Sequence, residues 1–96
     1  MIRLDDTITV NEDLMVAVLD GEMVLLNTQS GTYFGLNEVG SRIWELASEP
    51  KMIKDILHTL AQEYSVDQTQ LEGDVLQFIN SLFKRSLIHV VATVEV

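Results

Sequence analysis

The pair Asp20-Gly21 stands between two short apolar runs, and this arrangement constrains the fold more than any other feature of the chain. The first run is Leu-Met-Val-Ala-Val-Leu at 14–19, and the second is Glu-Met-Val-Leu-Leu-Asn at 22–27. Such runs are typical of strands, and Asp-Gly is a favoured pair for a two-residue type I′ turn. The sequence therefore predicts a β-hairpin over residues 14–27.

A second turn and a third strand follow the hairpin. Residues 28–31 (Thr-Gln-Ser-Gly) end in Gly31, which tolerates the left-handed backbone that many turns need. The run Thr-Tyr-Phe-Gly-Leu at 32–36 predicts a third strand and completes an antiparallel meander. A weaker β pattern at Thr7–Val10 indicates one more short strand.

The second half of the chain is predicted to be mainly helical, because its apolar residues recur with helical spacing. The predicted elements are helices over 38–47, 51–64 and 68–85, and a final strand over 87–96. Asn37 and Asp67 suit helix N-caps, and Pro50 separates the first two helices. We therefore predict an α+β fold, a winged helix-turn-helix with an N-terminal three-stranded antiparallel meander, three helices and a C-terminal strand, in a single domain over 1–96.

Charge and composition exclude several classes of protein. The 96 residues include 15 Asp and Glu but only 6 Lys and Arg, which gives a formal charge of −9. This balance argues against binding to nucleic acid or to anionic lipid. No apolar run approaches the roughly 20 residues of a membrane span, and Asp5 and Asp6 stand where a signal peptide would be apolar. We expect a cytoplasmic protein that binds neither membranes nor nucleic acid.

Residues that could carry catalysis are few. The chain has no Cys, so it has no cysteine nucleophile and no zinc–thiolate site. Its two histidines, His58 and His89, fall on predicted polar faces, and no metalloprotease, phosphate-loop or serine-nucleophile motif is present. We expect no enzymatic activity, no cofactor and no metal site.

The third predicted helix has more apolar surface than a core stripe needs. The stripe is predicted to consist of Leu71, Val75, Phe78 and Leu82. Leu76, Ile79 and Phe83 widen the apolar arc to roughly 160°, although a surface helix needs only a little over 100°. This flank either packs on the rest of the domain or lines a groove for a partner.

The third predicted strand raises a similar question. The segment Thr32–Leu36 ends the meander and has none of the charges or prolines that usually protect an edge. Either the terminal strand or Thr7–Val10 covers this edge, or a peptide adds to it as a further strand.

Several pieces of the sequence, in this order and spacing, resemble the PqqD-like family, also called the RiPP recognition element. These pieces are Val24–Asn27, Gly31–Asn37, Gly40, Ile43–Leu46, the apolar pattern of helix two, Asp74–Leu82 and Leu87-Ile88. The resemblance covers about residues 13–90. It implies a small winged helix-turn-helix domain that binds the leader segment of a ribosomally made precursor peptide.

The resemblance also implies where the leader binds. In this family the leader adds as a strand to the third strand, in a cleft beside the third helix. The peptide-binding residues are then predicted to be Thr32, Tyr33, Phe34, Gly35, Leu36, Glu72, Leu76, Ile79 and Phe83. The chain is most similar to the stand-alone version of lasso-peptide biosynthesis, in which a separate leader protease acts and a cyclase follows.

Alternative functions remain open from the sequence alone. One is a chaperone of coenzyme PQQ biosynthesis, but the turn at 28–31 lacks the proline and the loop at 48–50 lacks the glycine that this branch usually has. Another is a DNA-binding winged-helix regulator, whose recognition helix would carry Glu72 and Asp74 where phosphate contacts are usual. A third is a purely structural subunit of a complex.

Overall fold

A computed structural model describes residues 2–91, which form six strands and three helices. The strands are β1 (Thr7–Val10), β2 (Met15–Leu19), β3 (Glu22–Asn27), β4 (Thr32–Leu36), β5 (Lys51–Met52) and β6 (Ile88–Val91). The helices are α1 (Glu38–Leu46), α2 (Ile53–Glu63) and α3 (Gln68–Lys84). The predicted α+β class and the three helices are confirmed, and the part of the predicted final strand at 92–96 lies outside the described residues.

The predicted meander is present as an antiparallel sheet in the order β2-β3-β4. Asp20 and Gly21 have φ values of 53° and 82°, and positive φ at both positions is what a type I′ turn requires. Leu25 of β3 lies opposite Phe34 of β4 and is fully buried. This inner face of the meander therefore packs on the core.

A second antiparallel sheet has the order β5-β1-β6, so the weakly predicted strand at Thr7–Val10 lies at its centre. Helix α2 begins two residues later than predicted, because Lys51 and Met52 pair with β1. The first turn of α2 is bonded to the N-terminal segment, since the amides of Ile53 and Lys54 donate to the carbonyls of Asp6 and Leu4, both at 3.0 Å. These bonds satisfy amides that a helix start leaves without partners.

The helix ends follow local chemistry. The side chain of Asn37 accepts a hydrogen bond from the amide of Gly40 at 2.7 Å, and Asp67 caps α3 in the same way. Helix α3 ends at Lys84, and two residues later Ser86 has a φ of 60° and takes the left-handed position where glycine is usual. The chain then turns into β6.

The core lies where the inner face of the meander, the second sheet and the three helices meet. Its fully buried side chains include Ile8, Leu25, Ile53, Ile56, Leu60, Ile79 and Leu82. Within residues 2–91, no helix is both long and apolar enough to cross a bilayer.

Candidate functional site

Strand β4 is an edge strand, and among the described residues it pairs only with β3. Strands β1 and β6, which could have covered it, belong to the other sheet. Tyr33 is 77% exposed, and Thr32 and Gly35 are exposed as well. The outer backbone groups of β4 are therefore free to pair with an added strand.

The inner side of β4 contacts the end of α3. Phe34 is half-buried, and the guanidinium carbon of Arg85 lies 5.0 Å from the centre of its ring. This is the geometry of a cation–π contact. It places the C-terminal end of α3 directly beside the edge strand.

A mostly apolar cleft of about 440 Å³ lies between α1 and α3. Its lining residues are Asn37, Val39, Gly40, Ile43, Tyr64, Val66, Gln70, Leu71, Asp74, Val75 and Phe78. Asn37, Gln70 and Asp74 are its polar or charged members, whereas most of the other residues are apolar. The cleft is therefore suited to an apolar side chain whose neighbours carry hydrogen-bonding groups.

The cleft depends on a close approach between Gly40 and Phe78. A Cβ placed on Gly40 would lie 2.7 Å from Cζ of Phe78, which is closer than packed carbon atoms come. The missing side chain on α1 therefore makes room for the aromatic ring of α3.

Two corrections concern the predicted flank of α3. Ile79 was predicted to lie beyond the core stripe, but it is 0% exposed and belongs to the stripe with Leu71, Val75 and Leu82. Phe78, predicted to be in the core stripe, is only half-buried and lines the cleft. The core-facing direction of α3 is thus rotated from the predicted one by part of a turn, towards Ile79.

The predicted site residue Glu72 lies on the side of α3 that faces α2. Glu72 lies in a depression shared with α2, beside Lys54, Leu57, His58 and Ala61. Helical spacing places Leu76 and Phe83 on this same side. The roles predicted for these three residues in binding the leader stay predictions.

Sequence reasoning missed the side of α3 that does face α1 and β4. Asp74, Phe78 and Arg85 recur at near-helical spacing on that side, and all three contact or line the site. The available signal was Gly40, a residue without a side chain on the predicted helix one. A small residue at a helix–helix contact indicates that a large side chain packs there.

An ion pair holds α1 to α2 next to the cleft. Arg42 Nη2 lies 2.7 Å from Glu63 Oε2, and Arg42 Nε donates to Glu63 Oε1 at 2.9 Å. Hydrogen bonding to Arg42 lowers the pKa of Glu63 below its ordinary value. Burial raises the pKa of Tyr64, and the carboxylate of Glu38 adds to this effect.

The described residues offer a binding surface with few reactive groups. His58 is exposed and contacts Gln62 at 3.3 Å, and His89 is exposed on β6. Within residues 2–91, no three His, Asp or Glu side chains are grouped so that they could hold a metal ion.

Comparison with known proteins identifies the family. Residues 22–88 match the family described as Coenzyme PQQ synthesis protein D (PqqD), which is more than half of the chain. The chain belongs to the PqqD family. No match was found among the curated proteins.

Solved structures of PqqD-like proteins share the fold. The structure of TbiB1 in complex with the TbiA(beta) leader peptide is 40% identical, with a TM-score of 0.76, and the match covers 88% of this chain and 99% of TbiB1. A lasso peptide synthetase B1 complexed with the leader peptide is 28% identical, with a TM-score of 0.75, and the match covers 85% and 96%.

A third structure extends the comparison to the PQQ branch. It is the PqqD truncation of Methylobacterium extorquens PqqCD, described as a stand-alone RiPP recognition element. It is 18% identical to this chain, with a TM-score of 0.76 and coverage of 93% and 95%. At this identity the likeness shows the fold alone.

Proposed function

We propose that this PqqD-family protein is a RiPP recognition element, a non-catalytic adaptor that binds the leader segment of a ribosomally made precursor peptide. The observation that carries the proposal is the open edge of β4 beside the cleft and the end of α3. The likeness to two B1 proteins solved with leader peptides supports it and favours the lasso-peptide setting.

In the proposed complex the leader adds as a strand along Thr32–Leu36. Backbone hydrogen bonds to β4 supply affinity that depends little on leader sequence, and alternate leader side chains turn inward. The inward side chains meet the surface formed by Phe34, Phe78 and the cleft. An apolar leader side chain in that cleft is the main anchor.

Charge is expected to help selection of the leader. The chain carries −9 overall, and Asp74 lies in the cleft lining. A leader with Lys or Arg near its apolar anchor should therefore associate faster, and added salt should weaken binding modestly.

The proposal also covers where the protein acts and which enzymes act after it. The domain over 1–96 acts as a unit of winged helix-turn-helix type, in the cytoplasm where ribosomes supply the precursor. It hands the leader to a separate protease, and a cyclase acts afterwards. It needs no cofactor or metal of its own.

The two edges of the meander provide an internal test. Binding of a fluorescent leader peptide is measured first by anisotropy, and amide hydrogen exchange is then compared with and without leader. We expect exchange to slow in residues 32–36 of β4, while the other edge strand, β2, serves as the control and keeps its rates. Protection at β2, or no binding by any precursor leader from the same locus, would contradict the proposal.

The absence of catalysis is tested on the same sample. Mass spectrometry of precursor peptide incubated with the pure protein should show unchanged mass. Reproducible cleavage or modification, lost on mutation of this chain, would make the protein an enzyme.

A further inference from the structure

Asp74 and Arg85 place opposite charges on the side of α3 that faces the proposed leader site. Their 11-residue separation is close to three helical turns, so both lie on one side of the helix. At about 1.5 Å per residue the two charges are about 16 Å apart along the helix axis. This is too far for them to pair with each other, since ion pairs need about 4 Å.

Each of these charges lies beside a different part of the edge strand. The Arg85 guanidinium carbon is 5.0 Å from the ring centre of Phe34, in the middle of β4. Asp74 lines the cleft together with Asn37, the residue that follows β4. None of the ion pairs formed within residues 2–91 involves Asp74 or Arg85. A peptide lying along β4 therefore passes from a positive charge to a negative one.

Arg85 is suited to bind a carboxylate while it contacts Phe34. A guanidinium has five N–H donors in one plane, and their arrangement matches the two oxygens of a carboxylate. When the guanidinium lies over an aromatic ring, the ring contacts its face and the donors stay accessible at its edge. The side chain of Arg85 is exposed. An acidic side chain can therefore bind here, although the chain as a whole carries −9.

The geometry also limits the spacing of the charges on a bound peptide. An added strand directs alternate side chains towards α3. Phe34 and Asn37 are about 10 Å apart along the strand, whereas the two charges on α3 are about 16 Å apart. Inward side chains four positions apart on the peptide are separated by about 13 Å, which lies between these lengths, whereas two or six positions give about 7 or 20 Å. Antiparallel pairing is the more stable per residue, so the basic residue precedes the acidic one.

We propose that the leader is selected by a segment with the order basic, any, apolar, any, acidic. Its Lys or Arg pairs with Asp74, its apolar residue packs on Phe34 and Phe78, and its Asp or Glu binds Arg85. The inference rests on the proposed function, because it requires a leader strand on β4. The two charges fix the register of that strand, which backbone hydrogen bonds alone would allow to slip by two residues.

Charge reversal on both partners tests the inference. The probe is the fluorescent leader peptide of the precursor encoded with this chain, measured by anisotropy at low salt, where exposed charges are least screened. Two further peptides carry Lys in place of the acidic residue, or Glu in place of the basic one. The protein variants are Arg85→Glu and Asp74→Lys. Their matched controls are Lys84→Glu, the adjacent cation, and Glu49→Lys, an exposed acid in the loop after α1. Each control has the same net charge as its partner, and circular dichroism establishes that all four are folded.

We expect Arg85→Glu to bind the natural leader about tenfold more weakly, because like charges then face each other. The peptide with Lys in place of its acidic residue should restore the affinity of this variant to within about threefold of the wild-type pair. Asp74→Lys should behave in the same way with the peptide that carries Glu. Lys84→Glu and Glu49→Lys should bind the natural leader within about twofold of the wild type, as expected for exposed charges away from the site.

The remaining outcomes separate the inference from the proposed function. Failure of the wild type to bind any leader counts against the proposed function. A loss in Arg85→Glu that the reversed peptide does not restore would overturn the inference, because Arg85 would then act only by holding Phe34. Equal losses in Arg85→Glu and Lys84→Glu would assign the effect to net charge and overturn it too. A leader that protects β4 from hydrogen exchange but has no such segment would also overturn it.

Discussion

Phe78 of α3 occupies the space that a side chain on Gly40 of α1 would need, since a Cβ there would lie 2.7 Å from its Cζ atom. The two helices are joined at this point next to the cleft that the proposed leader enters. The contact links a sequence detail, one glycine in a short helix, to the shape of the site.

Replacement of Gly40 by alanine should therefore destabilise the protein, although alanine favours a helix. Overpacking costs about 1–3 kcal/mol, which exceeds the gain of about 1 kcal/mol in helix propensity. Gly73 of α3 is the matched control, because a Cβ there meets nothing within 4 Å. Urea denaturation should show a lower midpoint for Gly40→Ala and a higher one for Gly73→Ala.

A substitution at Phe78 tests whether its ring causes the loss of stability in Gly40→Ala. Phe78→Leu shortens the side chain that meets position 40, so it should recover part of the stability lost in Gly40→Ala. If Gly40→Ala were as stable as Gly73→Ala, the ring of Phe78 would be moving away at little cost.

The two sides of α3 should differ in leader binding. Phe78 and Leu76 are both half-buried and both pack against the core, but only Phe78 lines the cleft. Phe78→Ala should weaken leader binding by about 1–3 kcal/mol, the range for an apolar anchor. Leu76→Ala should lose stability but keep leader affinity, as measured by anisotropy on the folded fraction. If Leu76→Ala lost leader affinity and Phe78→Ala kept it, the binding groove would lie on the side of α3 that carries Glu72.

The pair Arg42–Glu63 should make stability depend on pH in a defined direction. The pKa of Glu63 is lowered in the folded protein below its ordinary 4.5, chiefly by the hydrogen bond from Arg42. The unfolded chain therefore takes up this proton first as the pH falls. The stabilisation is complete above the ordinary pKa and is lost as the pH falls through the folded-state value.

Thermal unfolding at a series of pH values measures this effect. The melting temperature of the wild type should fall more steeply below about pH 4.5 than that of Glu63→Gln, which has no charge to lose. Arg42→Gln removes the other partner and should flatten the profile in the same way. Parallel profiles for wild type and Glu63→Gln would show that the exposed pair adds no stability.

Most of the fold could be predicted from the sequence, because its turns and helix caps depend on residues close together in the chain. The Asp20-Gly21 turn, the Asn37 cap and the Asp67 cap each depend on residues within a few positions, and each was found as expected. The strand at Lys51–Met52 was missed because its pairing partner, β1, lies far away in sequence. No local pattern distinguishes two extended residues there from the start of a helix.

The site was harder to predict for a related reason. Helical spacing gives the relative directions of residues on α3, but not which direction faces the core. An error of part of a turn moved Ile79 out of the predicted core and moved Phe78 into it. The sequence left open whether another strand covers β4, because only the tertiary structure places β1 and β6 in a separate sheet.

The contact between Arg85 and Phe34 should contribute a measurable coupling energy between α3 and the edge strand β4. The guanidinium lies 5.0 Å from the ring centre, and cation–π contacts at exposed sites contribute about 0.5–1 kcal/mol. A double-mutant cycle with Arg85→Ala and Phe34→Leu isolates this energy from the loss of packing that each change causes alone. We expect a coupling of that size from urea denaturation, and a smaller one in the matched cycle with Lys84→Ala, the neighbouring cation on α3.

Leader affinity should also fall in Arg85→Ala, because Phe34 would lose the side chain that holds its ring beside the edge of β4. Zero coupling together with unchanged affinity would separate the end of α3 from the binding surface.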